Sequence, residues 1–321
     1  MDPTSVNGVL ELLYDRAGRP VWTDELVSAS GGDRVTLEPC LEALATRGHR
    51  LERSPAGVRL IRPTVLDGHL IERLLPVERI GRHVICFAQV DSTNEVAFAS
   101  AAPGGEALVI TAEHQRAGRG RFGRTWTSAP GSGILASVLL PAAGDLTPDG
   151  LTIAAGLAVA EGIEDAAGVA ARVAWPNDVV LGVAKVAGVL VEVRPAGPAR
   201  RVVVGFGINV LASPPPGDVD RPATNLVAAC DGTAPERIDV CRAVLVRLDR
   251  WVADLQAGRT DQLHRRWVAR CDMVNRRITV QAAGRRVTGR VLDVSPLEGL
   301  TLLTDRGRRE HLSASRATVV K

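Results

Sequence analysis

Apolar residues in the first 62 positions recur three times at helical spacing and then alternate with polar residues. The helical patterns predict three helices: Val6–Tyr14, Asp24–Ser30 and Leu37–Arg47. Thr23 and Thr36 are the candidate caps of the second and third helices. The alternation over Arg50–Arg62, interrupted at Pro55–Gly57, predicts a hairpin. Three short helices followed by a hairpin predict a winged helix-turn-helix domain over residues 1–65.

The predicted third helix carries few of the side chains that read DNA. A recognition helix usually presents Arg, Lys, Asn or Gln to bases and phosphates. This helix presents Glu38 and Glu42, and its single arginine, Arg47, lies at its end. The predicted hairpin is basic, but such charges are more often a solvated face. DNA binding is therefore left open, and a packing module is the favoured interpretation.

From His83 onward, short apolar runs alternate with longer helical patterns, which predicts a mixed α/β domain over residues 66–270. The predicted strands are His83–Gln89, Ala107–Thr111, Gly133–Leu140, Val173–Trp175, Val179–Leu181, Lys185–Val193 and Arg201–Val210. The predicted helices are Leu66–Leu75, Glu95–Ala101, Asp149–Ala166, Pro235–Ala257 and Thr260–Arg270. After that, short alternating runs separated by glycine turns predict a five-stranded, SH3-like β-barrel over residues 271–321. The fold class is α+β with several domains.

Composition narrows the class of protein further. A chain of 321 residues, 45% hydrophobic and 23% charged, is typical of a soluble globular protein. It contains no apolar run of membrane-spanning length and no secretory signal, so no membrane partner and a cytoplasmic location are expected. The five cysteines lack metal-ligand spacing, so no protein metal site is predicted. A net charge of +3 is too weak to imply nucleic acid by itself.

One loop, Gln115–Trp126, contains four arginines and three glycines between two apolar strands. We call it the site loop. Its backbone can approach a ligand closely, and its guanidinium groups can bind phosphate or carboxylate oxygens. Gly118, Gly120 and Gly123 match the dinucleotide-binding pattern G-x-G-x-x-G, but that pattern requires a helix to start at the loop. The residues after Gly123 cannot form a helix, so the match is rejected.

Other polar positions stand out beside the site loop. The cluster Ser92–Asn94 follows a predicted strand, and it is either a helix cap or a ligand-binding group. Lys185 is the only lysine before the terminal Lys321, whereas the other basic residues are all arginine. A lysine supplies a compact charge that the planar guanidinium of arginine cannot copy.

These motifs resemble those of biotin–protein ligases, in particular the long, repressor-type form. The resemblance covers essentially the whole chain, and five blocks follow in the order of that family: Asp91–Asn94, Gln115–Trp126, Trp175–Asp178, Lys185–Glu192 and Gly205–Asn209. It implies a central domain similar to class II synthetases. It also implies an enzyme that uses ATP to form biotinyl-5′-AMP and then attaches biotin to a lysine of a biotin carboxyl carrier protein.

The resemblance also assigns residues to the site. The implied ligand-binding residues are Ser92, Thr93, Asn94, Gln115, Gly118, Arg119, Gly120, Arg121, Trp126, Lys185, Gly188 and Asn209. Lys185 and Arg121 are the implied catalytic residues, since their charges would offset those of the carboxylate and the phosphates. Gln115 and the Ser92–Asn94 cluster would bind the ureido group of biotin. Trp126 would form one wall of the apolar part of the site.

Further roles follow from the same resemblance. Arg119 and Gly120 would bind at the carboxylate and phosphate, and Mg²⁺ would accompany ATP. Gly188 and Gly205–Gly207 would leave room for the bicyclic ring of biotin. Asn177–Asp178 would support the site or contact the metal.

The chain departs from the family pattern at three positions. Ala174 and Phe122 stand where basic residues are common, and the C-terminal arginine expected near the nucleotide is represented by Arg316, out of register. A lipoate–protein ligase is the alternative enzyme, and a biotin-responsive repressor is the alternative of another class. A homodimer is left open.

Overall fold

The structure of the chain is a computed structural model, which describes most of the sequence in separate ranges. These are residues 2–32, 34–100, 105–140, 146–196, 199–215, 222–233, 235–271, 273–295, 298–313 and 317–320. The helices are α1 (Pro3–Asp15), α2 (Thr23–Ala29), α3 (Arg34–Thr46), α4 (Gly68–Glu72), α5 (Thr93–Ala99), α6 (Pro148–Ala167), α7 (Leu226–Ala229), α8 (Arg237–Gln256) and α9 (Thr260–Arg270).

The strands in chain order are β1 (Leu51–Ser54), β2 (Gly57–Leu60), β3 (Val84–Phe87), β4 (Leu108–Ala112), β5 (Gly133–Leu140), β6 (Arg172–Ala174), β7 (Asp178–Leu181), β8 (Ala184–Ala196), β9 (Ala199–Asn209), β10 (Arg277–Ala282), β11 (Arg285–Ser295), β12 (Gly299–Thr304), β13 (Arg309–Leu312) and β14 (Ala317–Val319). The order of these elements agrees with the sequence-based predictions, except that α7 was not predicted.

The first three helices pack together and are followed by the antiparallel β1–β2 hairpin. Leu10, Leu26 and Leu44 come from different helices and are completely buried, as helical spacing of apolar residues requires. The predicted caps are wrong: Thr23 is the first residue of α2, and Thr36 lies inside α3. Two glycines with positive φ precede α3 and turn the chain early, so this helix starts before the predicted position.

A seven-stranded mixed sheet forms the centre of the molecule, in the order β3-β4-β5-β9-β8-β7-β6. The β3–β4 pair is parallel and the other pairs are antiparallel. This confirms the predicted mixed α/β architecture. One face of the sheet is covered by α6 and α8, and α5 packs on the other face against Leu108, Leu139 and Val203. We call the second face the α5 face.

Helix α6 is buried along most of its length, and a buried charge ties it to its neighbours. Thr147 caps its first turn by accepting a hydrogen bond from Gly150 N at 3.1 Å. Glu161, in the apolar interior, accepts from Trp251 Nε1 at 3.0 Å and from Arg266 Nε at 2.8 Å. These partners lie on α8 and α9, so the buried carboxylate fixes the packing of three helices.

The C-terminal strands form a separate antiparallel sheet in the order β13-β12-β11-β10-β14. Its five strands agree with the predicted number, while closure into an SH3-like barrel stays a prediction. Val319 of β14 reaches the cavity described below. Among the described helices, none is long and apolar enough to cross a membrane.

Arg237, at the start of α8, anchors the segment that leaves the N-terminal helices. Its side chain is only 2% exposed. It donates hydrogen bonds to Glu113 Oε2 at 2.8 Å, to Thr64 O at 2.9 Å and to Gly133 O at 3.1 Å. One buried guanidinium thus joins the connecting segment, the residue after β4 and the start of β5.

We predict that Arg237→Ala lowers the free energy of unfolding by about 3–5 kcal/mol, because it leaves the carboxylate of Glu113 in the interior without its cation. Chemical unfolding monitored by circular dichroism measures this change. The control is Arg53→Ala, which removes an ion pair to Glu38 whose side chains are both 56% exposed. Its cost should be below about 1 kcal/mol. Equal costs for the two variants would contradict the anchoring role of Arg237.

Candidate functional site

A cavity of about 400 Å³ lies on the α5 face of the central sheet, between the site loop and strands β8 and β9. Its volume is in the range of small-molecule sites. Every predicted site residue except Gly118 lines it, which brings together Ser92, Thr93, Asn94, Gln115, Arg119, Gly120, Arg121, Trp126, Lys185, Gly188 and Asn209. Their roles toward a ligand stay predictions.

The floor of the cavity is made of glycines on adjacent strands. Gly188 of β8 pairs with Gly207 of β9, and Gly205 lies two residues earlier on the same face. A Cβ atom at Gly207 would stand 2.4 Å from Trp126 Cε2, and one at Gly205 would stand 2.3 Å from Asn94 Oδ1. The glycines therefore make room for two side chains of the protein. The expectation that they also leave room for a ligand ring stays a prediction.

Hydrogen bonds among buried polar side chains build one end of the cavity. Gln115 Oε1 accepts from Thr93 N at 2.7 Å and lies 3.0 Å from Thr93 Oγ1. Ser137 Oγ of β5 lies 2.5 Å from Asn94 Oδ1. Ser92 occupies the N-cap position of α5, but its side chain makes no capping hydrogen bond. The cap interpretation of this cluster is therefore not supported, and its members face the cavity instead.

The site loop folds back on itself over the cavity. Gly120 N donates to Arg124 O at 2.7 Å, and Trp126 N donates to Gly118 O at 2.9 Å. A Cβ at Gly118 would stand 2.5 Å from Trp126 O, so this glycine permits the closure of the loop and does not line the cavity. The next regular element is β5. The rejection of the dinucleotide pattern is thus confirmed, because no helix follows the loop.

Cationic side chains occupy the end of the cavity near Lys185. Lys185 Nζ lies 2.7 Å from Asp178 Oδ1 and 5.3 Å from the centre of the Trp126 ring. Burial lowers the pKa of the Arg121 guanidinium, and the nearby charges of Asp178 and Asp149 oppose that shift. A cation held above an aromatic face and beside a carboxylate is fixed in position.

Arg119 is held by carboxylates of the protein. Its guanidinium lies 2.5 Å from Glu95 Oε1 and 2.8 Å from Glu192 Oε2. A role in binding the carboxylate or phosphate of a ligand was expected from the sequence. In this structure that charge is already neutralised, so a ligand would have to displace two internal partners.

The Trp175–Asp178 turn packs beneath this part of the cavity. Asn177 Nδ2 donates to Val189 O at 2.6 Å, which fastens the turn to β8. Ala174 is buried, and Arg316 lies outside the described residues. The described part of the chain contains no group of three or more His, Cys, Asp or Glu residues that could hold a metal ion.

The sequence analysis gave no role to two residues that contact Asn94, one of them within the Lys185–Glu192 block, or to one residue of the cavity wall. Glu192 accepts from Asn94 Nδ2 at 2.7 Å, and Ser137 contacts the other end of that amide. The period of two along β8 places Glu192 on the same face as Gly188, so this position could have been found. Val319 could not, because nothing local indicates which edge of the C-terminal sheet meets the cavity.

Comparisons with known proteins give consistent results. The model of the Biotin/lipoate A/B protein ligase family matches residues 86–209. The chain is 30% identical to the bifunctional ligase/repressor BirA of Bacillus subtilis (strain 168) over 313 residues, which are 94% of this chain and 95% of that protein. It is 32% identical to the biotin–acetyl-CoA-carboxylase ligase of Mycobacterium tuberculosis, over 79% of this chain and 95% of that protein.

A solved structure is also similar. The biotin protein ligase from Aquifex aeolicus in complex with biotin and ATP superposes with a TM-score of 0.64 and 25% sequence identity. The match covers 74% of this chain and 98% of that chain.

We predict that Gly207→Ala destabilises the fold by about 1–3 kcal/mol, because the new methyl group overlaps the Trp126 ring. Adding Trp126→Ala should remove most of that cost, so the two substitutions are coupled in a double-mutant cycle of unfolding free energies. The control is Gly156→Ala in α6, where the nearest atom is 3.9 Å away and no cost is expected. Strictly additive effects at positions 126 and 207 would show that the contact is not made.

Proposed function

The chain belongs to the biotin–protein ligase family, and from that premise we propose that it uses ATP to activate biotin and then transfers biotin to a lysine of a carboxylase carrier protein. The observation that carries the proposal is the order of chemical groups along one cavity. Asn94 lies at Gly205 and Trp126 at Gly207, about 7 Å further along the same face. Lys185 lies above Trp126. This order of polar, aromatic and cationic groups suits a ligand with a polar head, an apolar chain and a carboxylate.

In the first step, a carboxylate oxygen of biotin attacks the α-phosphorus of ATP, and the bond from that phosphorus to the departing pyrophosphate breaks. Negative charge gathers on the phosphate oxygens, and the positive charges of Lys185 and Arg121 stabilise it. Asp178 holds the Lys185 ammonium in place at 2.7 Å. Both reactants are bound side by side, which removes the entropic cost of their encounter.

In the second step, the amine of the carrier lysine attacks the acyl carbon of biotinyl-5′-AMP. The acyl C–O bond breaks, AMP leaves, and the attacking amine loses a proton as the amide forms. This intermediate reacts with water, so it has to be shielded until the carrier arrives. The site loop closes the cavity through its own backbone hydrogen bonds and is the element placed to shield it.

Magnesium fits this site as a companion of ATP. Mg²⁺ is usually held by substrate phosphates, water and one or two carboxylates, and it offsets phosphate charge. Asp178 is the cavity carboxylate that would hold it. The other ligands would come from the nucleotide.

The proposal divides the chain into three domains: a winged helix-turn-helix over residues 1–65, the catalytic domain over 66–270 and an SH3-like barrel over 271–321. The helix–hairpin order of the first and the strand order of the last support these assignments. Val319 lines the cavity, which supports a part for the C-terminal domain in binding substrate. The ligase reaction implies a carboxylase carrier protein as partner.

A second candidate function is DNA binding by the N-terminal domain, since the relative from Bacillus subtilis is named a ligase/repressor. Arg53 of the hairpin donates to both oxygens of Glu38 at 2.8 and 2.7 Å. Arg59 is paired with Glu52. Because these pairs neutralise the hairpin arginines that would meet phosphate, the ligase reaction remains the primary proposal.

We predict that the purified chain, given ATP, Mg²⁺, biotin and a biotin carboxyl carrier domain, yields a carrier heavier by one biotin in mass spectrometry. Lipoate offered in place of biotin should give little product. Lys185→Met should slow pyrophosphate release by about 100-fold or more, because it removes charge stabilisation from the transition state.

The matched control is Arg200→Met, which replaces an exposed cation at the far end of the β8–β9 hairpin and should keep wild-type activity. An unmodified carrier would refute the ligase function. A normal rate for Lys185→Met would refute only the role assigned to Lys185.

For the N-terminal domain, we predict weak binding to the DNA upstream of its own gene in gel-shift assays, with or without biotin. Glu38→Gln should strengthen this binding at low salt, because it frees Arg53 to contact phosphate. Glu310→Gln, which removes an ion pair in the C-terminal sheet, is the control. A tight, biotin-dependent shift by the wild-type chain would contradict this prediction and establish the repressor function.

A further inference from the structure

Glu192 joins two residues that come from different elements. Asn94 Nδ2 donates to Glu192 Oε2 at 2.7 Å, and Arg119 Nη2 donates to the same oxygen at 2.8 Å. Asn94 lies in the first turn of α5, Arg119 in the site loop and Glu192 on β8. One carboxylate oxygen therefore connects the polar end of the cavity to the loop that covers it.

The contacts around Asn94 give its side-chain amide a single orientation. A carboxylate only accepts hydrogen bonds, so the amide nitrogen has to face Glu192. At the other end, Asn94 Oδ1 contacts the hydroxyl of Ser137 and fills the space above Gly205. This arrangement leaves one amide proton and one carbonyl lone pair of Asn94 for other partners.

Arg119 has a second carboxylate partner, Glu95, whose role does not involve the amide of Asn94. Its guanidinium lies 2.5 Å from Glu95, which also accepts from Arg194 at 2.8 Å. The hydrogen bond from Arg194, together with the charge of Arg119, holds the pKa of Glu95 below its usual range. Glu95 thus stays ionised, and the site loop is tied to α5 as well as to β8.

We infer that Glu192 is a positioning residue that orients Asn94 toward the polar head of the acid substrate and, through Arg119, holds the site loop closed. The identity of that acid as biotin rests on the proposed ligase function. Arg119 then serves to hold the loop down, and Arg121 remains the loop cation that faces the nucleotide. Glu95 shares the task of holding the loop but has no part in orienting the amide.

Three substitutions separate these tasks. Glu192→Ala loses both contacts, and Glu192→Gln keeps an oxygen that accepts from Asn94 but loses the ion pair. Glu95→Gln weakens the pairs with Arg119 and Arg194 and leaves the contacts of Asn94 intact. Trypsin is the first probe, because it cleaves after the arginines of the site loop and needs no ligand. The second readout is the KM for biotin, measured separately from kcat.

All three variants should be cleaved in the loop several-fold faster than the wild type. Only Glu192→Ala should raise the KM for biotin, by about tenfold, as expected for losing a hydrogen bond to a charged group. Glu192→Gln should restore the KM, which a general loss of structure would not allow. Glu38→Gln removes an exposed, ion-paired carboxylate in another domain and should match the wild type in both readouts.

Wild-type cleavage rates in Glu192→Ala and Glu192→Gln would overturn the hold on the loop. An unchanged KM in Glu192→Ala, or a raised KM that Glu192→Gln fails to restore, would overturn the positioning of Asn94. A wild-type chain that modifies no carrier would refute the ligase function instead, and the cleavage assay would still decide the role of Glu192 in holding the loop.

Discussion

The missing side chains of Gly188 and Gly207, paired across two neighbouring strands, are the constraint on which the rest of the site depends. Because no Cβ projects there, the Trp126 ring lies directly on the sheet. Lys185 is placed by that ring and by Asp178. Trp126 also closes the site loop through its backbone, so the floor of the cavity fixes the position of the cover above it.

The same constraint explains why the floor of the cavity can be rigid while the site loop above it can move. The floor belongs to central strands of a sheet that is packed on both faces, and its glycines are buried. The loop is held to the sheet by carboxylates, through Arg119, whose side chain is 37% exposed. Partly exposed ion pairs are weak individually, so the loop can open at modest cost.

Much of the fold and of the candidate site could be predicted from the sequence, because both depend largely on local sequence patterns. The predicted span of β5, Gly133–Leu140, is confirmed, since its apolar run is bounded by turn residues. The sequence predicts that residues of the site loop act together with the Ser92–Asn94 cluster and Lys185, and most of the predicted ones do share one cavity. The pairing of β9 with β5 is long-range, and no local pattern specifies it.

Arg119 shows most clearly what a sequence leaves undecided. An arginine in a glycine-rich loop is equally suited to bind an anionic ligand or a carboxylate of its own protein, since the chemistry is the same. The outcome depends on Glu95 and Glu192, which reach it from a helix and a strand distant in the chain. The carboxylates that pair with Arg119 thus belong to the protein itself. Because those carboxylates tie Arg119, and with it the site loop, to α5 and β8, the cations assigned to the proposed substrates are Lys185 and Arg121.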